Sequence, residues 1–104
     1  MKYRLGLEVI GDDGLHLQPT GRLAEGLADL AKEGEIVFWD SARPKRHPYE
    51  SIEDTQLTLV GKPKGTIISI EVEGDGEIEK GLDNLVDYCY ETEFNVVERK
   101  KLED

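Results

Sequence analysis

Residues 66–73, Thr-Ile-Ile-Ser-Ile-Glu-Val-Glu, form the most regular stretch of the chain and indicate its fold. Ile68, Ile70 and Val72 recur with a period of two, and Ile67 lies opposite them. This alternation is typical of a strand that buries one face. The sequence Gly-Asp-Gly at 74–76 then turns the chain. Residues 66–73 therefore predict a strand that ends in a tight turn.

A helix is predicted after this turn, from residue 77 to about residue 91. Its apolar residues follow the spacing of an amphipathic helix: Ile78, Leu82, Leu85, Val86 and Cys89. A free cysteine on such a stripe usually acts as a small core residue, so we expect no reactive thiol at Cys89. Residues 92–104 fit a fifth strand, a docked extension or a frayed tail.

A short helix is predicted before the strand, over residues 51–60. Ser51 is followed three residues later by Asp54, which resembles a capping box, so the Ser51 hydroxyl is expected to accept a hydrogen bond from the Asp54 N–H. The preceding residues 41–48 contain two prolines, which limits any strand there to a short, irregular or edge position. The basic cluster Arg43, Lys45, Arg46 and His47 fits either a contact with an acidic partner or a solvated loop.

The first forty residues add a strand, a helix and a second strand. Alternating apolar residues indicate a strand over 3–9, and helical spacing indicates a helix over 20–33 with Gly34 as its C-terminal cap. Residues 35–40 predict a short strand with large groups on both faces. The complete order predicts the α+β class, with helices on one face of an antiparallel sheet.

The composition limits the classes of protein to consider. The 104 residues fit one domain, and 23 acidic against 13 basic residues give a formal net charge of −10. This charge would repel nucleic acid and anionic membranes, so neither is an expected partner. The single cysteine, the absence of zinc-like Cys/His spacing and the lack of any run near the roughly 20 apolar residues of a membrane span predict a cytoplasmic protein without metal or cofactor.

The segment Gly-Leu-His-Leu-Gln-Pro-Thr at 14–20 contains the candidate site. It places His16 beside the N-terminus of the first helix, where Pro19 fits an early helical position. Free backbone N–H groups and the helix dipole favour a phosphate there. Because a neutral imidazole is a nucleophile near pH 7, His16 is a candidate phosphoryl acceptor. The alternative is a polar loop residue at a helix start.

These residues resemble a known family. Gly14, Leu15 and His16, followed by Pro19, are similar to the active-site signature of HPr, the histidine-containing phosphocarrier of the sugar phosphotransferase system. Residues 65–74 resemble the last strand of that family and its turn. The resemblance covers residues 2 to about 90 and implies a monomeric, open-faced β-sandwich of order βαββαβα. It assigns residues 1–91 to the HPr-like domain and 92–104 to a C-terminal extension.

The resemblance also implies a function. Enzyme I would phosphorylate His16, and the phosphoryl group would pass to enzyme II A-type acceptor proteins, so that the protein is a stoichiometric carrier rather than a turnover enzyme. It implies phosphate-stabilising positions at Leu17, Gln18 and Arg22. It further implies a regulatory phosphorylation site at Ser51 and a partner contact at Ile52.

Two differences from the family leave a second hypothesis open. Gln18 occupies the position of an arginine that steadies the phosphoryl group, and a glutamine donates hydrogen bonds without a charge. Arg22, one helical turn further on, is the candidate substitute. The first helix is also acidic where HPr proteins are usually basic. The alternative function is therefore a non-transferring, HPr-like interaction module.

Overall fold

A computed structural model of the protein describes residues 1–89 and 93–103. This part of the chain forms five strands and three helices. In order they are β1 (Lys2–Val9), α1 (Leu17–Leu30), β2 (Glu35–Asp40), β3 (His47–Pro48), α2 (Ile52–Leu59), β4 (Ile67–Glu73), α3 (Ile78–Cys89) and β5 (Phe94–Glu103).

The strands form one antiparallel sheet in the order β3-β2-β4-β1-β5. Its central row shows why the periodic residues form strands. Leu5 of β1, Ile70 of β4 and Phe38 of β2 are cross-strand partners, and all three are fully buried. Their burial on one face fixes the register, since a shift of one residue would expose all three. The predicted α+β class and antiparallel sheet are confirmed.

The helices cover the buried face of the sheet and complete one hydrophobic core. Leu23 and Leu27 of α1, Leu59 of α2 and Leu82 of α3 belong to it, and each is fully buried. α1 packs against both other helices. This central position of α1 holds its N-terminal end, where His16 lies, against a rigid core.

α1 begins and ends earlier than predicted. It starts at Leu17 rather than at residue 20, so that Pro19 is its third residue. Proline is tolerated there because the N–H of the third residue has no intrahelical acceptor. The helix ends at Leu30, with Ala31 as its C-terminal cap residue.

Gly34 is not the cap of α1, and the prediction at this residue is wrong. The glycines with positive φ in the described residues are Gly14, Gly61 and Gly65. Gly34 is needed for a different reason: a Cβ there would lie 2.6 Å from the backbone oxygen of Glu73. The chain after α1 therefore packs directly on the end of β4.

Residues 41–48 contain only the two-residue strand β3, at an edge of the sheet, as the two prolines predicted. At the opposite edge, β5 pairs with β1 along its whole length, so the fifth-strand alternative is confirmed. The predicted domain boundary between residues 91 and 92 lies outside the described residues. Every helix within the described ranges falls short of the length and apolarity that crossing a membrane requires.

Candidate functional site around His16

The loop before α1 is fixed by Leu15. Its side chain is buried in the core, its N–H donates to the Lys62 oxygen at 2.8 Å, and its oxygen accepts from the Gly61 N–H at 2.6 Å. Gly14 has a φ of +72°, and a Cβ there would lie 2.6 Å from the Lys62 oxygen. Only glycine satisfies both conditions without strain. The backbone that enters His16 is thereby held against the loop that follows α2.

His16 is the N-cap residue of α1, with an extended backbone at φ −88° and ψ −176°. Its oxygen accepts hydrogen bonds from the Thr20 N–H at 3.2 Å and from the Thr20 hydroxyl at 2.6 Å. Thr20 itself is fully buried. The imidazole makes no capping hydrogen bond and is 51% exposed. A fixed backbone therefore presents an accessible ring.

The first turn of α1 offers an anion two backbone donors beside this ring. The first N–H groups of any helix have no intrahelical acceptor. Pro19 has no N–H, and that of Thr20 is bonded to His16, which leaves those of Leu17 and Gln18. No acidic side chain lies in this first turn, and the helix dipole adds positive potential. The start of α1 would therefore contribute favourably to a small anion attached to His16.

Glu93 is a site residue that the sequence analysis missed. Its carboxylate Oε1 lies 3.7 Å from Nε2 of His16. Its backbone oxygen accepts a hydrogen bond from the Ile10 N–H at 2.8 Å, next to the start of β5. Since the pairing of β5 with β1 brings Glu93 to His16, no local sequence signal marks it.

The three predicted phosphate-stabilising residues have different surroundings. Leu17, which is 70% exposed, and Gln18 lie on the first turn of α1 next to His16. Arg22 lies close enough to α3 for its charge to oppose the raised pKa values of Tyr88 and Cys89. Leu17 and Gln18 therefore lie next to His16 at the start of α1, whereas the charge of Arg22 acts on α3.

Cys89 is buried against the core, as its position on the apolar stripe predicted. Burial raises the pKa of its thiol to about 12, and the nearby Arg22 opposes this shift. The thiolate is thus scarce at neutral pH.

Ser51 and Ile52 lie at the start of α2. The Ser51 hydroxyl accepts a hydrogen bond from the Asp54 N–H at 3.0 Å, which confirms the predicted cap. Ile52 is 38% exposed. One turn later, Gln56 lies against Gly21 of α1, with its Nε2 at 3.1 Å from the position of a Cβ. α2 and α1 therefore pack side by side, with Ile52 at their surface.

The basic residues at 43–47 do not act as one cluster. Arg46 donates to Glu71 at 2.6 Å, and its guanidinium carbon lies 4.1 Å from the ring centroid of Trp39. The ring of His47 lies 5.8 Å from that of Phe38. Arg46 thus ties the segment before β3 to the open face of the sheet, while its side chain stays 53% exposed.

Among the described residues, no three His, Cys, Asp or Glu side chains are grouped so as to hold a metal ion. No protein-family model matches the chain, and a search of curated proteins finds no relative.

Proposed function

We propose that the protein is a cytoplasmic phosphocarrier of the HPr type. His16 accepts a phosphoryl group from an enzyme I-like donor and passes it to enzyme II A-type acceptor proteins. The observation that carries this proposal is the accessible imidazole at the N-terminus of α1, beside the N–H groups of Leu17 and Gln18. The order of the first seven elements, βαββαβα, supports it, because the resemblance to HPr implies the same order.

The transfer step follows from the chemistry of an imidazole. The lone pair of the unprotonated ring nitrogen of His16 attacks the phosphorus of a phosphohistidine on the donor. A P–N bond forms on this nitrogen, the P–N bond of the donor breaks, and its electron pair returns to the donor ring. The phosphoryl oxygens then face the helix N-terminus. The same exchange in reverse delivers the group to an acceptor.

The partner is expected to dock on the surface shared by α1 and α2. Leu17 and Ile52 are exposed apolar residues on this surface, at 70% and 38%. Glu25 and Asp29 of α1 add negative charge on the neighbouring side of this helix, which faces α3. A complementary partner would therefore combine an apolar centre with basic residues at the rim.

Intact-mass analysis tests the proposal. The protein is incubated with phosphoenolpyruvate and enzyme I from the same genome, beside His16→Ala and the matched control His47→Ala. We expect wild type and His47→Ala to gain the mass of one phosphoryl group in an acid-labile bond, and His16→Ala to gain none. If wild type remains unmodified, or if His16→Ala is modified equally, the carrier function is excluded.

A non-transferring interaction module is the second candidate function. The uncharged Gln18 next to the imidazole and the acidic α1 favour it. This function predicts that wild type takes up no phosphoryl group and that His16→Ala binds a partner as tightly as wild type does. The same mass measurement, followed by a binding titration, separates the two candidates.

A further inference from the structure

The carboxylate of Glu93 is held in a defined position beside His16. The Ile10 N–H holds its backbone oxygen, and its side chain is only 22% exposed. A Cβ on Gly11 would collide with its Oε2, so the carboxylate fills the space that this glycine leaves. Packing on several sides therefore directs Oε1 toward Nε2 of His16, at 3.7 Å.

This arrangement bears on the proton of the neutral imidazole. A neutral ring carries its proton on Nδ1 or on Nε2, and the environment of each nitrogen selects between them. A carboxylate that faces Nε2 favours a proton there, because the N–H dipole then points at the negative charge. The lone pair is left on Nδ1. Nδ1 is also the ring nitrogen nearer the backbone of His16, which continues directly into the first turn of α1.

We infer that Glu93 is a positioning residue for His16: it holds the ring proton on Nε2 and so keeps Nδ1 ready as the nucleophile. This inference rests on the proposed function only in that the unprotonated ring nitrogen of His16 is the phosphoryl acceptor. After transfer, the protonated ring carries positive charge, which the same carboxylate offsets. Glu93, directly before β5, is thus part of the site.

The tautomer of His16 is measured by two-bond ¹H–¹⁵N correlation spectra of the ring, at a pH where the imidazole is neutral. Glu93→Ala removes the carboxylate. Glu98→Ala is the matched control, since it removes a carboxylate from β5, the strand that follows Glu93. The Glu98 carboxylate pairs with Lys100 at 3.4 Å and not with His16. We expect the ratio of the Nε2–H to the Nδ1–H form to fall roughly two- to five-fold in Glu93→Ala, the effect of a partly exposed charge. Glu98→Ala is expected to keep the wild-type ratio.

Glu93→Gln supplies a second variant that keeps the side-chain volume and removes the charge. We expect the ratio to fall in the same direction but by less, because the amide oxygen still accepts a hydrogen bond. An unchanged ratio in both Glu93 variants would overturn the inference, and so would an equal fall in Glu98→Ala.

The experiment separates this inference from the proposed function, because the tautomer is read without any phosphoryl donor. Phosphorylation by enzyme I is then timed for the same proteins, and Glu93→Ala is expected to react more slowly than wild type by the factor by which the fraction of the Nε2–H form falls. A changed ratio without any phosphorylation would refute only the carrier function. Phosphorylation of wild type with an unchanged ratio in the variants would refute only the role of Glu93.

Discussion

At the scale of single residues, His16 depends on neighbours that do no chemistry themselves. Leu15 anchors the loop in the core, and Thr20 holds the oxygen of His16 from within the helix. Glu93 approaches the ring from the far end of the chain. Because the backbone is fixed before any partner arrives, little reorganisation is needed for the ring to react.

Gln18 provides a gain-of-function test at the same scale. Gln18→Arg would place a guanidinium next to a phosphoryl group on His16. A hydrogen bond from a charged donor contributes a net stabilisation of about 1.5–3 kcal/mol, whereas one from a neutral donor such as glutamine contributes about 0.5–1.5 kcal/mol. We expect the equilibrium with the phosphorylated donor to shift about ten-fold toward the phosphorylated protein, as about 1.4 kcal/mol implies. Quantification of both phosphorylated partners at equilibrium measures this shift.

The matched control is Gln56→Arg, which adds the same charge on α2. It should leave the equilibrium within about two-fold of wild type, since an exposed charge away from the phosphoryl group contributes only about 0.2–0.4 kcal/mol, the low end of the range for surface charge pairs. An equal shift in both variants would mean that net charge, and not the contact at Gln18, decides the equilibrium.

At the scale of elements, the N-termini of α1 and α2 differ in how they are capped. α1 begins at His16 without a side-chain cap, whereas α2 begins with the hydroxyl of Ser51 bonded to the Asp54 N–H. An uncapped start leaves donors for a ligand, and a capped start uses one of them. The two helix ends on the same surface therefore have different capacities for an anion.

Loss of the Ser51 cap should destabilise the fold. Ser51→Ala removes the acceptor for the Asp54 N–H, and we expect the free energy of unfolding to fall by about 1 kcal/mol. Ser51→Asn retains a capping oxygen and should recover most of this loss. Urea denaturation of the three proteins measures both values. Equal stabilities of the Ala and Asn variants would contradict a capping role.

The sequence allows the elements to be predicted where burial is periodic, and fails where distant segments meet. The strand at 66–73 and the helix beginning near residue 77 follow from their spacing alone. The need for a glycine at residue 34 does not follow from spacing, because it depends on the close approach of the Glu73 backbone. For the site, local signals placed His16 beside the start of the first helix, although α1 begins three residues earlier than its apolar spacing indicated. Glu93 was not predictable, since only the sheet pairing of β5 brings it near.

At the scale of the whole molecule, Glu71 links separate parts of the chain on the open face of the sheet. This residue of β4 is 3% exposed. It accepts hydrogen bonds from Arg4 of β1 at 2.6 and 2.8 Å and from Arg46 at 2.6 Å. Lys2 approaches the same carboxylate at 4.0 Å. A buried carboxylate thus joins the central strands to the segment before β3.

This cluster predicts a dependence of stability on pH. Burial acts to raise the pKa of Glu71, but the hydrogen bonds from Arg46 and Arg4 outweigh it, and the pKa lies below its ordinary value. Because folding lowers this pKa, the ionised Glu71 contributes to the free energy of unfolding, and this contribution is fully present above the unfolded pKa of about 4.3. The contribution is lost as the pH falls through the folded pKa. Urea denaturation across the acid range should show this decline.

Glu71→Gln should be less stable than wild type near neutral pH by about 1–3 kcal/mol, because the arginines lose a charged acceptor. Its stability should decline less as the solution is acidified, so that the two curves converge. Glu73→Gln, on the same strand and face but exposed, is the matched control. A constant gap between wild type and Glu71→Gln at all pH values would contradict the assignment.

The position of β1 between β4 and β5 constrains how the protein folds during synthesis. β1 lies near the start of the chain, yet its partners are Ile67–Glu73 on one side and Phe94–Glu103 on the other. Neither edge of β1 can be satisfied until those segments have left the ribosome. Such long sequence separations slow folding, so β1 stays unpaired, with its apolar side chains exposed, until both partner segments are available.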